Sequence, residues 1–453
     1  MAETTVTYEE ALDWLHGLLR FGQNPGLERM QWMLGELGHP ERTLTFIHVA
    51  GTNGKGSTCA YLTTTLMEAG YSVGTFTSPY ITDFRERIRY NDQMIPREDL
   101  SQLVSEIRPL VERCAEESGV GSPTEFEVIT LLAILYFVRT RPSVVVWETG
   151  LGGRLDSTNV VFPLVSVITN VGLDHTDVLG DTIAQIAAEK AGIIKSGTPV
   201  VIGEMTEEAR SVIEQAAKAT RSTIYQYGRD FTATPQGSAG PEGQSFTYRS
   251  VFRRHDAAYD VGMLGAHQIV NASVAMMVLD VLREFYAYFY EEEELARGMR
   301  KTRWLGRLEV VNQKPLVILD GAHNTEGMEA LVKSLPSLVA GHSRVHLFVA
   351  ALGDKPLSRM ASVWQKAEID IPNIYLTSFD FPRAASADTL FDAFCASGVD
   401  SNRLTKVEDW SSFVREWISK EENQDDVLII CGSLYFIAQV RAVFPIHLHE
   451  AGE

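Results

Sequence analysis

What this sequence lacks narrows it first. No apolar run in its 453 residues approaches the roughly twenty needed to cross a bilayer. The opening stretch MAETTVTYEEALDWL is acidic and shows none of the charged-then-apolar layout of an export signal. Cysteine is scarce: Cys59, Cys114, Cys395 and Cys431 stand far apart with no CxxC, which points to free thiols in a reducing cytoplasm instead of disulfides or zinc. Cations are outnumbered, 40 Lys and Arg against 59 Asp and Glu, for a net charge of −19. That balance excludes a broad nucleic-acid surface, and anionic ligands would need local cations to hold them against the overall field. The acidic run at 291–294 reads as the solvated start of a helix, favourable beside its positive end.

What is present is an ordinary globular composition, 45% hydrophobic and 22% charged, in a chain long enough for two domains. Apolar, β-rich runs at Thr43–Ala50, Ser72–Thr77, Ser143–Trp147, Leu164–Thr169 and Pro199–Ile202 read as strands. Most are apolar throughout instead of alternating, as parallel strands covered on both faces are. Helical periods fill the gaps at Lys55–Ala69, Arg97–Glu117, Thr124–Arg139, Asp181–Ile194 and Glu207–Ala219. The expectation is an α/β fold: a doubly wound P-loop-type domain with a mainly parallel sheet over 1–300. GRDFTATPQGSAGPEGQSFTYRS interrupts it as a surface hairpin, and KTRWLGRLEVVNQKP reads as a linker. From Leu316 the alternation restarts, which predicts a smaller Rossmann-like α/β domain over 301–453.

Between the first strand and the first helix lies GTNGKGST. Glycines let successive N–H groups curl toward one anion, and the helix dipole adds to the pull. Gly51, Thr52, Asn53, Gly54, Lys55, Gly56, Ser57 and Thr58 are therefore candidates for nucleotide phosphates. Lys55 would neutralise the β/γ-phosphates, and Ser57 or Thr58 would offer a hydroxyl to Mg²⁺. The generic G-x-x-x-x-G-K-[ST] pattern is not met literally, because Gly56 separates Lys55 from Ser57. Glu148 ends a buried strand, which suits either a Mg²⁺ carboxylate or a capped strand end. His175 follows the next strand. In DTIAQIAAEKAGIIK, a capping-box pattern from Thr182 to Gln185 opens a helix. Ile183, Ile186, Ala187, Lys190 and Ile194 share one face, so Lys190 must snorkel, pair or lose its charge.

HVAGTNGKGS resembles the folylpolyglutamate synthase and dihydrofolate synthase family of the Mur-ligase superfamily, which also places a glycine between lysine and serine. The resemblance continues through TSPYITDFRERIR, TEFEVIT, ETGLGGRLDSTN, TNVGLDHTDVLG, AAEKAGIIK, GRLE, LDGAHN and GSLY, from about Arg20 to Val440. It implies that Ser78, Glu148 and His175 bind magnesium and that Lys190 is carbamylated to help hold a second metal. It also implies that Asn271, Arg307 and Asp320 bind ATP, with the nucleotide clamped between two domains. His323, Ser433 and Tyr435 are expected near the incoming amino acid. Arg85 and Arg87, with Arg89 alternating beyond them, are expected to help shape the folate site. Glu125, Phe126, Leu155 and Asp156 match segments that line the pterin pocket.

The implied reaction joins L-glutamate to a folate carboxylate, with ATP and two Mg²⁺ ions as cofactors and no covalent enzyme intermediate. Lys55, Glu148, His175, Lys190 and His323 carry the catalytic expectations. The expected partners are small molecules only (folate, L-glutamate and ATP), with no nucleic acid or membrane, for a cytoplasmic monomer. A cell-wall Mur ligase would need a further domain before the lysine loop, where only 50 residues precede Gly51. A regulatory P-loop NTPase is the alternative of another class. Glutamate addition to dihydropteroate instead of to folate is the alternative within the family.

Overall fold

The computed structural model describes residues 6–18, 25–240 and 243–444. Two compact units divide the chain. The first runs to Thr234 and adds Thr247–Tyr259 and Val270–Thr302; the second takes Pro235–Phe246, Asp260–Ile269 and the chain from Arg303 on.

The first unit is built on eight strands: β1 Phe46–Ala50, β2 Val73–Phe76, β3 Ile88–Tyr90, β4 Gln93–Met94, β5 Val144–Glu148, β6 Pro163–Ile168, β7 Val200–Ile202 and β8 Ile224–Gln226. Their order is β4-β3-β2-β5-β1-β6-β7-β8. Strands β2, β5, β1, β6, β7 and β8 are parallel, and β3 and β4 form an antiparallel edge. FIHVA in β1 and VVVWE in β5 are buried along their whole length, as β-branched runs sandwiched between helices should be. On one face Phe46, Phe76 and Trp147 pack with Leu103, Ile107, Leu132 and Phe137 of helices Arg97–Glu117 and Glu125–Thr140. On the other, Ile168 and Ile202 pack with Ile186 and Ile213 of helices Ile183–Ala191 and Glu207–Thr220. The chain leaves β1 for β2 on one side and later reaches β6 on the other, so the order reverses at β1. The crevice beyond the carboxyl ends of strands at such a reversal is where open α/β sheets bind ligands.

A three-stranded sheet, β11-β10-β9, joins β9 Phe231–Gly240, β10 Gly243–Ser250 and β11 Ala257–Val261. The expected two-stranded hairpin thus has a third member, whose alternation of buried and exposed residues hides it among polar neighbours.

The second unit's sheet has the order β12-β13-β17-β14-β15-β16, from β12 Glu309–Gln313, β13 Leu316–Leu319, β14 Val345–Val349, β15 Asn373–Thr377, β16 Leu404–Val407 and β17 Val427–Cys431. All neighbours are parallel except β12, which lies antiparallel to β13. Part of the stretch read as a linker is therefore an edge strand. Two elements passed over in the sequence, helices Tyr8–Gly17 and Glu28–Glu36, pack Leu15 and Met33 onto the Trp147 core. Among the described residues no helix is long and apolar enough to cross a membrane.

Candidate active site

The lysine loop leaves β1 at the sheet's point of reversal and enters the helix Lys55–Glu68. It is pinned from the segment after β6. Asn170 Oδ1 accepts from Asn53 N at 2.8 Å, Asn170 O accepts from Thr52 N at 3.2 Å, and Thr169 Oγ1 donates to Asn53 O at 2.6 Å. Thr52 Oγ1 donates to Gly172 O at 3.1 Å. Gly54 caps the helix at φ +80°, and a Cβ there would collide with the Asn271 side chain, so this glycine serves both the turn and the close approach. Asn271 therefore lies against the loop. Lys55 Nζ folds back to donate to Gly51 O at 3.0 Å. Ser57 and Thr58 are buried, and Thr58 Oγ1 has no hydrogen-bond partner among the described residues.

Glu148 ends β5 and is 3% exposed. One of its oxygens accepts from Ser78 N at 3.1 Å, so two of the expected metal residues meet. His175, in left-handed backbone at φ +51°, is exposed, with Asp174 Oδ1 bonded to its own N–H at 2.9 Å. Lys190 is buried, 3% exposed, on the helix face predicted for it. Burial, followed by the nearby charge of Lys55, pushes its ammonium down to about 7, against opposing pulls from Asp174 and Asp156. The same influences place Lys55, Asp174 and Asp156 around one amine. Near neutral pH this environment shares the amine between its charged and neutral forms.

The segment after β5 is folded around Asp156. Its Oδ2 accepts from Leu151 N at 2.7 Å, and its Oδ1 accepts from Thr158 N at 3.0 Å and from the Thr158 hydroxyl. Burial raises its carboxyl, with Thr158 the largest opposing influence. Leu155 O accepts from Gly26 N at 3.3 Å. Gly150 lies so close under the Phe126 ring that a Cβ would enter it. Arg87 stands over the Tyr80 and Phe84 rings at 5.1 and 5.4 Å, with its Nε buried and without a hydrogen-bond partner among the described residues. Glu125, raised by burial, feels Arg87 as its main opposing charge. Arg87, Glu125 and Phe126 thus form one neighbourhood. Arg85 pairs with Asp83 at 2.8 Å, and Arg89 pairs with Asp92 at 3.0 Å.

In the second unit, Asp320 follows β13 and accepts from Leu308 N at 2.9 Å and Ala322 N at 2.8 Å. His267 feels both Asp320 and Arg307: burial lowers its imidazole, Asp320 raises it and Arg307 lowers it further. His323 Nδ1 meets Gly321 O at 2.8 Å. Ser433, 2% exposed, follows β17 with its hydroxyl unpartnered among the described residues. Tyr435 stacks on Phe381 at 4.2 Å. The expected residues of this unit collect at the carboxyl ends of β13 and β17, which are adjacent strands.

The Mur ligase middle domain matches residues 49–279, and the Mur ligase, glutamate ligase domain matches 306–434. The dihydrofolate synthase/folylpolyglutamate synthase of Bacillus subtilis (strain 168) is 41% identical over 438 residues, 96% of this chain and 98% of that protein. This chain belongs to that family. The Thermotoga maritima folylpolyglutamate synthase structure covers 96% of both chains at 33% identity with a TM-score of 0.81. The Mycobacterium tuberculosis folylpolyglutamate synthase, solved with ADP and AMPPCP, is 27% identical, covers 96% of this chain and 99% of its own, and has a TM-score of 0.84. A member of this family is an ATP-dependent, ADP-forming ligase, which sets the nucleotide-switch alternative aside.

Among the described residues no three His, Cys, Asp or Glu side chains converge as a metal cage. Mg²⁺ is a hard ion that keeps its waters and is held through one or two carboxylates together with substrate phosphates. Glu148 beside Ser78, and the unpartnered Thr58 hydroxyl one turn into the lysine-loop helix, are oxygen donors of the right kind. Sequence reading missed Thr169 and Asn170, which anchor the loop. A polar pair closing the apolar strand β6 was the available signal.

Proposed function

We propose that this family member joins L-glutamate to the tail carboxylate of a folate through an acyl phosphate, releasing ADP and phosphate. The observation that carries the reading is the lysine loop at the sheet's reversal, with Glu148 at the next strand end and a buried Lys190 beside Lys55. A carboxylate repels nucleophiles and has no usable leaving group. Transfer of the ATP γ-phosphoryl to it breaks the Pγ–O bond to ADP and forms a carboxyl–phosphate anhydride. The glutamate amine then attacks the acyl carbon, phosphate departs, and the amine loses a proton.

Lys55 and the loop N–H groups position the triphosphate and neutralise it, which is most of what a phosphoryl transfer asks of a protein. Glu148, Ser78, Ser57 and His175 would hold Mg²⁺, whose chemistry is to neutralise charge on the phosphoryl oxygens. Asn271, Arg307 and Asp320 would bind the rest of ATP. His323, Ser433 and Tyr435 would receive glutamate. Phe126, Glu125, Arg87, Leu155 and Asp156 would line the pterin end, while Arg85, turned to Asp83, would support the loop shape.

Lys190 would carry a carbamate, formed as its neutral amine adds to CO₂ and sheds a proton. At pH 7 a lysine held at about 7 is about half free amine, against roughly one part in three thousand for an ordinary lysine. The carboxylate so formed would add an oxygen ligand for a second ion. Crystals grown with bicarbonate should show density extending past Lys190 Nζ; a bare ammonium there contradicts the carbamate.

Polyglutamylation is the primary activity in this reading, with dihydropteroate glutamylation as a second activity of the same site. ADP release in the presence of L-glutamate, with tetrahydrofolate or dihydropteroate as acceptor, tests it. Release with tetrahydrofolate supports the reading. Release with dihydropteroate alone overturns it in favour of a dihydrofolate synthase.

A further inference from the structure

One buried histidine has no part in the reaction as described. His48 is fully buried in β1, in register with Trp147 of β5 and Ser166 of β6. An apolar side chain would suit the middle of this sheet better, since a buried polar ring is unfavourable unless its hydrogen bonds are made. Its Nδ1 has no partner among the described residues, so the ring is not there for its own satisfaction. Its Nε2 lies 3.0 Å from Thr158 Oγ1.

The proton on that contact can be placed. Burial, then the charge of Lys195, pushes the imidazole down to about 3, so it is neutral and carries one N–H. Thr158 has a single hydroxyl proton and directs it to Asp156 Oδ1. The Thr158 oxygen must therefore accept from His48, and Nε2 is the protonated nitrogen. Thr158 is also held from the neighbouring strand, where Trp147 Nε1 donates to its carbonyl at 3.0 Å. One file of hydrogen bonds thus runs from His48 through Thr158 to Asp156 and on to Leu151 N at 2.7 Å. It ends in the loop whose Gly150 lies against the Phe126 ring.

We propose that His48 is a positioning residue for the acceptor site: by donating to Thr158 it turns that hydroxyl onto Asp156 and holds the Gly150–Thr158 loop in the shape that receives the pterin end of folate. The inference rests on the proposed function, which sets Asp156 and Phe126 against that ring system. His48 itself touches no substrate. Its effect would appear on the acceptor and not on ATP, although β1 is the strand that leads into the lysine loop.

The test is steady-state kinetics of the full chain with ATP, tetrahydrofolate and L-glutamate. His48→Leu removes the donor, His48→Gln keeps an N–H at similar reach, and Thr158→Val removes the hydroxyl while keeping the shape. His48→Leu and Thr158→Val should each raise KM for tetrahydrofolate about tenfold and leave KM for ATP within about twofold, with His48→Gln recovering to about threefold. The double variant His48→Leu/Thr158→Val should be no worse than the worse single, because both break one file. An unchanged acceptor KM, an equal rise in the ATP KM, or multiplying effects in the double variant would each overturn the proposal. Should His48→Leu not fold, Thr158→Val and His48→Gln decide it: an unchanged acceptor KM in Thr158→Val is sufficient to overturn. A wild-type protein that ligates glutamate to no folate overturns the proposed function, and this inference with it. An active wild type with indifferent variants overturns this inference alone.

Discussion

Lys190 sits in a setting far from its solution chemistry. In the fold its ammonium is held at about 7 against an ordinary 10.5, with burial the first cause. Between those two pH values the unfolded chain holds a proton that the folded chain has shed, so this group makes stability rise with pH over that window. Below about pH 7 both states hold the proton and the burial penalty is complete. Lys190→Met, in CO₂-free buffer, should therefore stabilise the protein most at or below pH 7, by on the order of 3–5 kcal/mol, with the gain fading toward pH 10. Urea unfolding at pH 6.5 and 9.5 checks this; an equal gain at both values would show that Lys190 is not held neutral. From sequence the lysine was legible as an anomaly on an apolar stripe. Its neighbours were not, because Lys55, Asp174 and Asp156 reach it from three separate segments. Arg85 pairs with Asp83 two residues earlier, a partner that the charge run by itself does not single out.

At the scale of elements, patterns with one physical cause were readable and patterns with two were not. Strands buried on both faces, such as β1, β5 and β6, announce themselves as apolar runs. The antiparallel strand β3 and the edge strands β4, β12 and β16 are short, and apart from the start of β3 and β16 their residues are half-buried or exposed, so they pass for loops or linker. β1 itself begins at Phe46, not Thr43, because Pro40–Thr43 forms a 3₁₀ turn. Caps are local, and so they were legible. The Thr182–Gln185 box forms as read, with Gln185 N donating to Thr182 Oγ1 at 3.2 Å and Thr182 N to Gln185 Oε1 at 3.1 Å. Thr182→Ala should cost about 1 kcal/mol in chemical denaturation. An unchanged midpoint would mean that the helix presenting Lys190 is fixed by packing alone.

Over the whole molecule, composition set bounds and topology supplied the site. A net charge of −19 says that phosphates and carboxylates are held by placed groups and not by a general field. Those groups come together because a doubly wound sheet gathers the ends of its strands at one point, which the alternation of runs and periods made legible. The passage of Pro235–Phe246 and Asp260–Ile269 into the second unit was not legible, since local pattern carries no information about which distant segments associate.

The central claim is that the terminal phosphorus of ATP passes to an oxygen of the acceptor carboxylate. Running the reaction with tetrahydrofolate labelled with ¹⁸O in its tail carboxyl, and examining the released phosphate by ³¹P NMR, tests this most directly. The account predicts one ¹⁸O per phosphate formed, together with an absolute requirement for the acceptor. Unlabelled phosphate, released at the same rate whether or not the acceptor is present, would contradict it.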